Sequence, residues 1–191
     1  MIRTKIDMLL PLLKVKPRSI KELSSEVDVV PEVLELVARN LETKGVVKLD
    51  YPAVGSPVVT LLKQVEEKSE EVPKSFDDNY SFNVNGLNVK VYIYRDAERR
   101  PFYHVTYDQP AEFTKLFLST LESEIARDIP LDTSYFLTPE RMQAYLPTIY
   151  NKMKAKLSNY FSENLDQITG YMFINMYGMR ELEILMGDEE L

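Results

Sequence analysis

The chain has no cysteine and no tryptophan, and its single histidine is His104. Without cysteine there is no disulfide, no iron–sulfur cluster, no thiolate zinc site and no cysteine nucleophile. One histidine speaks against multi-histidine metal ligation and a Ser–His triad. Freedom from cysteine fits a reducing compartment without requiring one. Glycine is scarce: the six residues at 45, 55, 86, 170, 178 and 187 include none followed by Lys-Ser/Thr, so they build no phosphate loop. No apolar run approaches the roughly 20 residues needed to cross a bilayer. The start, Met1-Ile2-Arg3-Thr4-Lys5, lacks the apolar centre and small cleavage-site residues of a signal peptide. A cytoplasmic location is expected.

What is present is an ordinary globular composition: 191 residues, 45% apolar and 28% charged, with a net charge of −7. That length suffices for one large domain or two small ones. The charge is unevenly spread. Residues 1–63 hold ten Lys/Arg against eight Asp/Glu, a net of +2. Residues 64–85 hold two against six (−4), and residues 86–191 hold eleven against sixteen (−5). The middle segment is polar, acidic and interrupted by Pro73, so it reads as a linker. The predicted organisation is a front domain over 1–63, an acidic linker over 64–85 and a second domain over 86–191.

In the front domain Ile6, Leu9, Leu10 and Leu13 recur at helical spacing, with Pro11 as a kink or boundary. Ser19 stands three residues before Glu22, the spacing of a capping box, and predicts a helix from Ile20 to Val27. Pro31 suits a first helical position, Val33, Leu34, Val37 and Leu41 form the next apolar stripe, and Gly45 reads as a left-handed cap. Extended runs at Val46–Tyr51 and Val58–Leu62 flank a loop with two prolines and a glycine. Three helices followed by a hairpin resemble the winged helix-turn-helix superfamily. The fold class predicted is α+β: an N-terminal winged helix-turn-helix, an acidic linker, then a β-hairpin packed with a helical bundle.

A winged helix raises the question of DNA. Residues 31–44 would be the recognition helix, but Arg39 and Lys44 there are outnumbered by Glu32, Glu35 and Glu42. Arg18, Lys21, Arg39, Lys44 and Lys48 are the candidate nucleic-acid contacts, with Lys14 and Lys16 nearby. Such a set gives only a weak electrostatic grip. A winged helix used for packing or protein interaction explains the segment better.

Beyond the linker, Leu87–Tyr94 alternates apolar and polar residues as a half-buried strand does, and Pro101–Tyr107 returns as its partner. Tyr92, Tyr94, Tyr103 and Tyr107 could stack on bases, but cross-strand aromatic pairing accounts for them more simply. His104 has no carboxylate or second histidine at ligand spacing and is given no catalytic or metal role. Three helices are predicted after it: one after Pro110, one capped by Thr138 and Pro139 with a seam running to Phe161, and one from about Ser162. The methionines at 172 and 176 read as gap-filling core. Acidic pairs such as Glu122 and Glu124 have no fixed separation around a cleft, so unaided catalysis is not expected.

The closing stretch Gly178-Met-Arg-Glu-Leu-Glu-Ile-Leu-Met-Gly-Asp-Glu-Glu-Leu191 resembles a segment of the type II/type IV secretion ATPases, including those of archaeal pili and archaella. In that superfamily the run reads roughly G-L-G-P-L-E-P-L-L-A-D-x-x-V. Gly178, Leu182, Glu183, Leu185 and Asp188 match directly, and Met179, Met186 and Leu191 are conservative replacements. Arg180, Glu181 and Ile184 depart from it, replacing the second glycine and the two prolines. A strand ending Tyr-x-Val-x-Tyr, here Tyr103–Tyr107, adds to the likeness. The resemblance implies a leading region whose ATPase core lies beyond Leu191, with ATP and magnesium belonging to that core and no cofactor held here. It implies as partners the other subunits of a hexameric ATPase and a membrane platform protein, at the inner face of the cell membrane. Gly178 and its neighbours carry over as a hinge, with no catalytic group among them. The alternative function is a winged-helix transcription regulator with a C-terminal dimerisation domain. A plain acidic adaptor is the third.

Overall fold

A computed structural model describes residues 1–63, 73, 75–129 and 138–177. Among them the fold is α+β, with six α-helices and two small three-stranded antiparallel sheets. Thr4 and Asp7 form a capping box around a short 3-10 turn, Lys5–Met8, which runs into α1 (Leu9–Val15). Pro11 lies in the first turn of α1, where its missing N–H has no intrahelical acceptor to lose.

The two-residue strand β1 (Arg18–Ser19) leads directly into α2 (Ile20–Val27). The Ser19–Glu22 capping box forms as predicted: the Glu22 N–H donates to Ser19 Oγ at 3.3 Å, and the Ser19 N–H donates to Glu22 Oε2 at 2.8 Å. Asp28 ends the helix in the left-handed region, φ 52°. Helix α3 (Pro31–Thr43) opens on Pro31 and buries Leu34, Val37, Ala38 and Leu41, and Gly45 turns the chain at φ 67° into β2 (Val47–Asp50). β2 pairs with β3 (Val58–Leu61) in the register Leu49↔Val59, and β1 closes the other side of β3.

The second sheet is built from β4 (Asp78–Val84), β5 (Leu87–Arg95) and β6 (Pro101–Tyr107), in the order β4-β5-β6. Here the sequence reading needs correcting. The stretch assigned to an acidic linker over 64–85 ends in a full strand, so the predicted hairpin is a three-stranded meander. Its turn is Asn85-Gly86, with φ of 50° and 83°. Both residues at positive φ are what a two-residue hairpin turn requires. On β5 the side chains of Leu87, Val89 and Val91 are buried while Asn88 and Lys90 are exposed.

Three helices follow: α4 (Glu112–Asp128), α5 (Pro139–Leu157) and α6 (Leu165–Met176). The predicted seam of the second stops at Leu157. Tyr160 and Phe161 lie in the turn after it, with Phe161 still buried. Ile149, Met153 and Leu157 of α5 meet Ile168, Met172 and Phe173 of α6 in one core that includes the inner face of β5. That core is continuous with the front segment. Phe113 of α4 sits among Leu9, Leu13, Leu23, Leu34 and Leu41 and is 2% exposed. Burying a phenylalanine so completely contributes about 2–3 kcal/mol.

Candidate functional site

The candidate nucleic-acid contacts all lie on the front segment, and most are engaged with acids of their own neighbourhood. Glu35 and Arg39 are one helical turn apart on α3, and Arg39 NH2 donates to Glu35 Oε1 at 2.7 Å. Its Nε donates to Tyr51 Oη at 3.0 Å, and that hydroxyl donates to Glu35 Oε1 at 2.9 Å. The bonds to Tyr51 and Glu35 raise the Arg39 pKa still further. Lys48 is paired with Asp50 at 2.5 Å, a bond that raises the lysine pKa. Arg18 is ion-paired with Glu26. Lys21 and Lys44 are exposed and make no ion pair with a described residue. Of the five candidates, a phosphate backbone approaching this face would meet two uncommitted lysines, with the exposed Lys14 and Lys16 nearby.

A second cluster joins the two halves. The N-terminal residues run alongside the segment before α4: the Ile2 N–H donates to Gln109 O at 2.8 Å, and the Ala111 N–H donates to Ile2 O at 2.9 Å. The Met1 ammonium pairs with Asp108 at 2.9 Å. Burial raises the Asp108 pKa, but bonds from Met1 and Asn88 outweigh it and leave that pKa below the usual carboxylate value.

One turn further on, Asp7 reaches α4. Its Oδ1 accepts the Thr114 backbone N–H at 3.0 Å, and its Oδ2 accepts the Thr114 hydroxyl at 2.7 Å. The same Oδ2 accepts the Thr4 N–H at 2.8 Å, and the buried hydroxyls of Thr4 and Thr114 lie 2.7 Å apart. Beside this joint, Lys5 holds Asp28 at 2.8 Å, raising the lysine pKa and lowering that of the acid. A cavity of about 160 Å³ opens there between Val30 and Val33 on one side and Tyr160 and Phe161 on the other.

The outer face of the second sheet is polar and aromatic. Ser81, Asn83, Asn88, Lys90 and Thr106 line a shallow hollow of about 650 Å³. The tyrosines there are occupied with other rings. Tyr92 meets Phe76 edge-on at 5.1 Å and His104 at 6.3 Å, while Tyr94 stacks on Phe102 at 5.7 Å. A third hollow, of about 600 Å³, lies between Leu146, Pro147 and Tyr150 of α5, Phe173 of α6 and the Asn85-Gly86 turn. Burial raises the Tyr150 pKa, and its hydroxyl reaches Asp166 O at 3.3 Å.

Among the described residues no three His, Cys, Asp or Glu side chains converge on a metal position, and no helix is long and apolar enough to cross a membrane. The candidate hinge residues Gly178, Leu182, Glu183, Leu185 and Asp188 lie outside the described residues. Sequence reasoning missed Asp7, Thr114 and β4. For β4 a signal existed: Tyr80-Ser-Phe-Asn-Val84 alternates and is followed by Asn-Gly, the strongest short hairpin signal. For the Asp7–Thr114 joint, 107 residues apart, no local pattern exists. Comparison with protein-family models, with curated proteins and with solved structures finds no match for this chain.

Proposed function

We propose that this chain is the N-terminal regulatory and interaction region of a type II/type IV secretion or pilus-assembly ATPase, with a winged helix-turn-helix at its front. In this reading the front module binds protein and transmits position; it does no chemistry. ATP and magnesium belong to a core encoded downstream, and the partners are the other subunits of the hexamer and a membrane platform protein.

The observation that carries the reading is the run Gly178–Leu191 with its five direct matches, placed immediately after α6. What surrounds it supports a mechanical part. Helix α6 is seated on the Asn85-Gly86 turn, and α4 is fixed to the front segment through Asp7. A displacement applied at the end of α6 would therefore be passed on as movement of the packed body.

The alternative, a DNA-binding regulator, is disfavoured by the ion pairs that engage Arg18, Arg39 and Lys48. The deciding experiment is to read and express the frame beyond Leu191. A phosphate-loop core and ATP hydrolysis by the longer product are expected. A stop codon with no such core would overturn the proposal, and salt-dependent binding to duplex DNA at about 50 mM salt would move the reading to the regulator.

A further inference from the structure

Asn85-Gly86 is the only place in the sequence where asparagine precedes glycine. The pairing matters for chemistry as well as for the turn. With no side chain on the following residue, a peptide nitrogen attacks an asparagine side-chain carbonyl with the least hindrance. The Gly86 nitrogen would lose its proton, bond to Asn85 Cγ and expel the side-chain amide as ammonia, leaving a five-membered succinimide. Water then opens that ring at either carbonyl and gives aspartate or isoaspartate. The net change is asparagine plus water to a carboxylic acid plus ammonia, so water is the only co-reactant.

Asn85 is exposed, so water and base reach its side chain, yet the fold holds the pair in the wrong shape to react. Both residues lie at positive φ, 50° and 83°, as a two-residue hairpin turn requires. Ring closure needs the peptide plane between them to swing out of that turn, bringing the Gly86 nitrogen alongside Asn85 Cγ. The same nitrogen is held as a donor: the Gly86 N–H bonds to Asn83 Oδ1 at 3.1 Å. Helix α6 presses on the plane from the other side. A Cβ on Gly170 would lie 2.0 Å from the Asn85 carbonyl oxygen, and a Cβ on Gly86 would lie 3.0 Å from the Asp166 carbonyl oxygen. The Tyr150 hydroxyl of α5 bridges the two, 3.5 Å from Asn85 O and 3.3 Å from Asp166 O. These contacts must loosen before the ring can close.

We propose that Asn85 is a self-modification site gated by α6: asparagine persists while the helix is seated on the turn and converts to aspartate and isoaspartate once the helix has lifted. Isoaspartate routes the main chain through the side-chain carbon and so lengthens the backbone of a turn that has no slack. The carbonyl that faces Gly170 then loses its place, α6 cannot reseat, and a reversible local opening becomes permanent. The proposal stands independently of the secretion-ATPase reading.

The test is incubation of the full chain in mildly alkaline buffer, with mass spectrometry of its peptides following the loss of ammonia at Asn85. The native chain is expected to keep Asn85, and the urea-unfolded chain to lose it many-fold faster. Gly170→Ala, which lifts α6, is expected to speed the loss several-fold without urea. Tyr150→Phe keeps the ring and the fold but removes the bridging hydroxyl, and is expected to give a smaller acceleration. Equal rates in the native and unfolded chains overturn the proposal, as does an Asn85 that survives in both. Native rates unmoved by either variant overturn the gating by α6. The consequence has its own readout. Asn85→Asp supplies the new charge without the longer backbone, at a position whose positive φ aspartate tolerates, and should melt close to the unaltered chain. The aged isoaspartate form should melt lower, and a Tm equal to that of Asn85→Asp would show that α6 reseats on the modified turn.

Discussion

Helices α2 and α4 solve the same problem in opposite ways. Each begins with backbone N–H groups that have no partner inside the helix. In α2 the residues at its own start do the work: Ser19 and Glu22 bond each other's backbone across three positions. In α4 the N-cap is Ala111, which has no side-chain acceptor, and the Thr114 N–H is satisfied by Asp7, 107 residues earlier. A local cap stabilises one helix wherever that helix finds itself. A remote cap also fixes where the helix lies. The second kind is what turns a front segment and a sheet-and-helix segment into one packed body.

The sharpest way to break that contrast is Asp7→Ala. The change takes the acceptor from the Thr114 and Thr4 N–H groups and removes the carboxylate partner of the Thr114 hydroxyl, which keeps only the Thr4 hydroxyl at 2.7 Å. Orphaning buried donors of this kind costs about 1–3 kcal/mol each, with partial recovery through water, so a loss of about 3 kcal/mol is expected in urea unfolding. The double variant Asp7→Ala/Thr114→Val should cost less than the sum of the two singles, because one interaction is removed twice. Additive losses would show that the two residues do not act as a unit.

A second remote joint gives the next largest effect. A Cβ added to Gly170 of α6 would lie 2.0 Å from the carbonyl oxygen of Asn85, well inside contact distance. Gly170→Ala must therefore lift α6 from the β4–β5 turn, at an expected cost of about 2–3 kcal/mol. Thermal unfolding measures it, and an unchanged Tm would mean that the close approach is not a feature of the native state. By contrast, Ser19→Ala removes a local cap and should cost about 1 kcal/mol without changing cooperativity.

The same contrast explains what was legible in the sequence. The Ser19–Glu22 spacing, Pro31 at the start of α3, Gly45 after it and the alternation of β5 are local signals, and all appear in the structure. The Glu35–Arg39 pair could have been read from its four-residue spacing. β4 was hidden because Asp77, Asp78 and the acids before them made the whole stretch look like a solvated linker, although its own alternation and the Asn-Gly turn were in plain view. The Asp7 joint had no signature, since a single acid near an N-terminus matches countless surface residues. Of the candidate nucleic-acid contacts, Arg18, Arg39 and Lys48 were named for their charge alone, and their partners Glu26, Tyr51 and Asp50 come from the fold.

Acid separates the electrostatic part of the local cap from the rest. The Glu22 pKa lies below its ordinary 4.5, first because its carboxylate accepts the Ser19 backbone N–H and then because of the Ser19 hydroxyl. A carboxyl whose pKa is depressed by folding adds stability above its unfolded value and loses it as the pH falls through the lower folded one. Glu22→Gln keeps an acceptor for the cap but cannot carry the charge. Above about pH 4.5 the unaltered chain should therefore be slightly the more stable, and the gap should close on further acidification. Glu22 is exposed, so solvent screening makes this the smallest of the four effects. The Tm difference between the two proteins, followed from pH 7 to pH 3, measures it. A difference that stays constant over that range would mean that the cap acts through hydrogen-bond geometry alone, and that nothing electrostatic distinguishes it from the Asp7 joint.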